Sequence, residues 1–118
     1  IKQALLEKVE VINAINVIAQ KINLSDSAAI NDLAFQLKSQ VENLFLILGT
    51  EINGKPSLTI VISDNLVKEK GLHAGNIIRD AAKEMQGGGG GQPFYATACG
   101  NNLAGLDAAI AKALSFLN

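Results

Sequence analysis

The groups in this 118-residue chain that can do acid, base, nucleophilic or metal chemistry are one histidine, one cysteine and a scatter of carboxylates. His73 follows Lys70-Gly71-Leu72 with no acid or nucleophile in sight to form a catalytic set, so a surface or capping role is expected. Cys99 is a nucleophile only if a neighbour lowers its pKa; without one it reads as a small packing residue. Asp64 and Asp80 are isolated, and Asp64 before Asn65 reads as a helix-start cap rather than half of an acid/base pair. A lone cysteine and a lone histidine provide no soft-ligand cluster for structural zinc. No catalytic residue is assigned.

The unusual segment is Gly87-Gly88-Gly89-Gly90-Gly91-Gln92-Pro93. Consecutive amides without side chains can line a concavity that takes anions, and such a backbone is open to close approach. The dinucleotide fingerprint does not apply, because it follows a strand and opens a helix, whereas this run follows a helix and enters a strand. The Walker pattern fails as well, since no Lys-Ser or Lys-Thr pair follows. A flexible linker is the bland alternative. Within one domain, however, a floppy loop only adds closure entropy, and Ala96, Ala98 and Gly100 leave the next strand approachable too. The segment therefore reads as a shaped binding surface. Lys68 and Lys70 precede the helix before the glycines, and Arg79 and Lys83 share its polar face at a four-residue spacing. Each can meet a phosphate, although Glu69, Asp80 and Glu84 interleave with them as on any solvated face.

Hydrophobic spacing supplies the elements that must position these residues. Leu5, Leu6, Val9 and Ile12 predict a helix from Ile1 to about Asn13, the end of a longer helical region. Ile15 to Ile22 is β-branched and predicts a strand. Ser25 and Asp26 open a helix reaching about Gln40, with Ile30, Leu33, Ala34, Leu37 and Val41 on its buried stripe. Leu44–Leu48 and Leu58–Ile62 are apolar runs of strand length, expected to be buried on both faces and joined around Asn53-Gly54 by a loop longer than two residues. Pro56 is expected where no ladder donor is needed. Ala74 to Gln86 is strongly amphipathic; Phe94 to Ala98 predicts a strand; Leu106 to Leu117 predicts a closing helix capped by Asn101 or Asn102. The class is α/β, a central mixed sheet flanked by helices.

At 118 residues, 48% hydrophobic and 18% charged, the chain is expected to form one folded domain. Aromatics are 4% of it and tryptophan is absent, so aliphatic side chains must build the core. No apolar run spans a bilayer and no secretion signal opens the chain, which with the single cysteine predicts a soluble cytoplasmic protein. Ile1 is not an initiator, so a longer parent polypeptide is expected. A net charge of −1 is unlike that of a dedicated nucleic-acid binder.

The series Gly54-Lys55-Pro56, Ile62 through Leu72 with its Ser-Asp-Asn-Leu-Val-Lys-Glu-Lys-Gly core, Ala74-Gly75, the glycine run with Gln92-Pro93, and Ala96-Thr97-Ala98 resembles the C-terminal end of bacterial alanyl-tRNA synthetases, the C-Ala or DHH-associated domain. The resemblance runs from about Asn16 onward. It implies a segment 1–14 ending a helical linker or dimerisation region, and a globular domain 15–118. It further implies a non-catalytic domain that contacts the outer corner of tRNA through Gly87, Gly88, Gly89, Gly90, Gly91 and Gln92 with Arg79, Lys83, Lys68 and Lys70. Aminoacylation and editing, with ATP, magnesium and zinc, belong to upstream domains, and a homodimer is an expected partner. Where the family commonly has Gly-Gly-Lys, this chain has Cys99-Gly100-Asn101, which removes a basic contact. The same resemblance carries two alternatives. One is the substrate-binding domain of a DHH phosphoesterase, whose glycine motif ends in histidine where Gln92 stands; the other is a structural dimerisation domain.

Overall fold

The computed structural model describes residues 2–117, so the helical reading at Ile1 falls outside the described residues. The elements, in order, are α1 Lys2–Leu6, β1 Glu10–Ile12, β2 Ile15–Lys21, α2 Ser27–Gln40, β3 Leu44–Ile52, β4 Lys55–Ile62, α3 Asp64–Lys70, α4 Ala74–Ala82, β5 Gly87–Gly91, β6 Tyr95–Gly100 and α5 Leu106–Leu114. Short 3₁₀ turns follow α4 and flank α5. The strands form one mixed sheet in the order β1-β2-β3-β4-β6-β5, antiparallel except for β2 beside β3. This is the expected α/β class. None of the described helices is long and apolar enough to cross a membrane.

The core lies on both sides of the sheet because β3 and β4 alternate apolar residues to both. Phe45, Ile47, Leu58, Ile60 and Ile62 pack with Ile77, Ile78, Ala81 and Ala82 of α4 and Ala109 and Ala113 of α5. Leu44, Leu46, Leu48 and Val61 pack with Ile30, Leu33, Ala34 and Leu37 of α2. Continuous apolar runs in the sequence are thus the mark of strands covered on both faces. Asp26 caps α2, its carboxylate accepting from the Ala28 N–H at 3.0 Å.

Four expectations are corrected. The helix expected to reach Asn13 ends at Leu6; Glu10–Ile12 pairs with Ile15–Val17, and Asn13 and Ala14, both at positive φ (52° and 66°), make the two-residue turn. Four residues at helical spacing, Leu5, Leu6, Val9 and Ile12, were too short a sample to separate a helix from a β-branched strand. The β3–β4 loop is also a two-residue turn, Asn53-Gly54 at φ 54° and 78°, because pairing continues to Ile52 opposite Lys55. Pro56 pairs across to β3 and lies just beyond Ser57, where β6 begins to pair, so β6 asks no amide of it. Asp64 is the first residue of α3, not its cap; Ser63 holds the cap position and its hydroxyl accepts from the Leu44 N–H at 2.8 Å. Neither Asn101 nor Asn102 caps α5 by its side chain, since a 3₁₀ turn, Leu103–Gly105, intervenes.

Candidate nucleic-acid interface

The glycine run is not a loop. Gln86, at φ 54°, turns the chain out of the 3₁₀ turn Lys83–Met85, and Gly87 to Gly91 then form β5, the edge strand beside β6. Its register places Gly87, Gly89 and Gly91 opposite Gly100, Ala98 and Ala96, and Gly88 and Gly90 opposite Cys99 and Thr97. The first set is required by packing. A Cβ at Gly87 would overlap the Cys99 carbonyl, one at Gly89 would overlap the Thr97 carbonyl, and one at Gly91 would come within 2.5 Å of the Tyr95 carbonyl. The second set is different: a Cβ at Gly88 or Gly90 would meet nothing within 4 Å.

Those two glycines face the same side of the sheet as α2, but α2 packs on β3 and β4 and leaves this end bare. The surface there is mixed, with hydroxyls beside apolar area. Ser57 and Thr59 of β4, Tyr95, Thr97 and Cys99 of β6, and Ser27, Ile30 and Asn31 of α2 line a groove of about 140 Å³. The Tyr95 hydroxyl donates to Asn31 Oδ1 at 2.7 Å. Burial raises its pKa and the bond to Asn31 works against that rise. Cys99, expected as a packing residue, is exposed. It points to the open side opposite Gly88, a position where a side chain costs nothing.

The opposite side of β5 and β6 is covered by α4, whose start fits closely: Gly75 lies where a Cβ would come within 2.7 Å of the Gly91 carbonyl. His73 caps this helix, Nδ1 accepting from the Asn76 N–H at 3.1 Å, which matches the capping role expected for it. Arg79 of α4 and Lys83 of the 3₁₀ turn that follows it are exposed, with Arg79 donating to Asn76 Oδ1 at 2.8 Å and Lys83 3.7 Å from Asp80. They therefore lie across the sheet from the open face of Gly88 and Gly90. Lys68 and Lys70 belong to α3 and separate from each other. Lys68 lines a cavity of about 300 Å³ with Asp64, Val67, Pro93 and Phe94; Lys70 lines another, of about 230 Å³, with Asn13, Ile15, Leu72, Phe116 and Leu117. Gln92 turns the chain from β5 to β6, its N–H donating to the Tyr95 carbonyl at 2.8 Å while its side chain stays exposed. Asn101, at the departure from Gly-Gly-Lys, is tied by its N–H to the Met85 carbonyl at 3.1 Å, with an exposed side chain.

Sequence reasoning missed Lys38. Its Nζ sits 4.7 Å from the centroid of the Phe94 ring and 3.1 Å from Asp64 Oδ1. Nothing in the spacing of one lysine and one phenylalanine 56 positions apart announces that contact.

The family model described as the DHHA1 domain matches residues 14–118. The chain belongs to the DHHA1 family. Alanine–tRNA ligase of Cytophaga hutchinsonii is 51% identical over 112 residues, covering 95% of this DHHA1 chain and 13% of the ligase. That of Christiangramia forsetii is 49% identical over 117 residues, 99% of this chain and again 13% of the relative. The chain thus spans about an eighth of the curated relatives it matches. The C-Ala domain from Aquifex aeolicus alanyl-tRNA synthetase superposes with a TM-score of 0.83 over 93% of this DHHA1 chain and 97% of that domain; at 19% identity the likeness speaks for the fold. The resemblance drawn from the motifs is met by all three comparisons.

Proposed function

We propose that this chain is the tRNA-binding C-terminal domain of an alanine–tRNA ligase, contacting the outer corner of tRNA and leaving chemistry to the rest of the polypeptide. The observation that carries this reading is the pair Gly88 and Gly90. They stand opposite Cys99 and Thr97, which line the groove, and a Cβ at either glycine would meet nothing within 4 Å. A bare backbone rimmed by hydroxyls suits a ligand that is itself a backbone of phosphates and sugars, held for position rather than for sequence. A net charge of −1 makes the contact local and weak, with the parent chain supplying effective concentration. The relatives named above are ligases, which favours this reading over a phosphoesterase substrate domain. On this reading the zinc, magnesium and ATP of the parent serve its upstream domains. The setting is the cytoplasm, where tRNA is charged, and self-association belongs to the region before residue 15.

The test is titration of labelled alanine tRNA with wild type and with Gly88→Val/Gly90→Val. Both positions have room for the side chain, so circular dichroism should report an unchanged fold while binding weakens at every salt concentration. Equal binding by the folded double variant would sink the reading of this face.

A further inference from the structure

Resting on that RNA-binding reading, we infer that Phe94, with Lys38 and Lys68, forms a base-stacking site that takes one exposed nucleobase of the RNA. Phe94 lies three residues beyond Gly91, and its carbonyl accepts the Ile62 N–H at 2.9 Å, which anchors it to the end of β4. Its ring is half-buried. One face is taken by the Lys38 ammonium, which Asp64 holds in place. The cavity of about 300 Å³ beside the ring is lined by Phe94, Pro93, Val67, Asp64 and Lys68.

The occupant follows from what borders that space. An aromatic ring with a proline and a valine beside it offers flat apolar area for roughly one ring and no more, too little for a protein partner, which needs a larger apolar core. Lys68 stands at the rim, exposed and in no ion pair among the described residues. A flat π-surface next to an unneutralised ammonium matches a base with its own phosphate, and stacking of this kind is indifferent to which base arrives. The residue after Phe94, Tyr95, lines the hydroxyl groove and packs on the 40% exposed Phe35 at 5.1 Å between ring centroids. The glycine face would hold the sugar-phosphate chain while Phe94 holds a base.

Phe94→Leu keeps apolar volume and removes the ring. It should weaken tRNA binding roughly 5- to 150-fold without altering the salt dependence. Lys68→Gln should lower the slope of log affinity against log salt by about 0.7 to 0.9. Phe94→Trp should bind like wild type, and because the chain has no tryptophan its emission comes from that single ring. tRNA should quench it, and polyphosphate of equal charge should not. Wild-type affinity in folded Phe94→Leu, or equal quenching by polyphosphate, overturns the stacking site alone provided wild type binds tRNA and Gly88→Val/Gly90→Val weakens it. No binding of tRNA by wild type overturns the RNA reading and this inference with it.

Discussion

The centre of the sheet and its glycine edge are held together by opposite means. In β3 and β4 the strands are fixed by large side chains, Phe45, Leu46, Ile47 and Ile60 among them, which are fully buried between helices on two sides. In β5 the strand is fixed by having none: Gly87, Gly89 and Gly91 lie so close to β6 that a single carbon would force the two apart. The first arrangement stores stability in apolar area. The second gives up that area to bring backbone against backbone, and it leaves Gly88 and Gly90 facing outward on the same strand. Adjacent residues of one type therefore have different duties.

Substitutions can break that contrast at graded cost. The largest effect should come from the centre, where Phe45→Ala empties a site with no exposure and should lower unfolding free energy by about 3–5 kcal/mol in urea titrations. At the edge, Gly89→Ala adds one methyl against the Thr97 carbonyl and the Ala98 side chain, and should cost about 1–3 kcal/mol by the same measurement, the mark of overpacking rather than of a cavity. Gly88→Ala should change stability by no more than about 0.5 kcal/mol, as at an unencumbered surface position. If Gly88→Ala and Gly89→Ala cost the same, the division of β5 into packed and open glycines is wrong.

Much of the fold was legible because periodicity reports burial. The stripe of Ile77, Ile78, Ala81 and Ala82 announced α4, and the uninterrupted apolar runs at Leu44 and Leu58 announced strands covered on both faces. β1 was not legible: three residues carry no period, and the turn that sets it contains Ala14, an unusual choice for φ 66°. β5 escaped for a different reason. Five glycines have no side-chain pattern and the weakest strand propensity, so only the neighbouring β6 determines their conformation. Of the candidate site, the glycines were visible as a surface, whereas the separation of Arg79 and Lys83 from Gly88 and Gly90 by the thickness of the sheet, and the meeting of Lys38 with Phe94, are products of topology.

An all-glycine edge also has a consequence in time. Ordering these five residues costs roughly 2.5–5 kcal/mol more backbone entropy than ordering five alanines would, with no buried side chains of their own to offset it. β5 should therefore sit at the low end of the molecule's local opening energies, exchanging its amide hydrogens well before those of β3 and β4. A ligand lying along it would have to hold the strand closed as well as bind it, and part of its intrinsic affinity would be consumed in doing so. Slowed exchange confined to β5 and β6 on adding RNA would be the record of that closure.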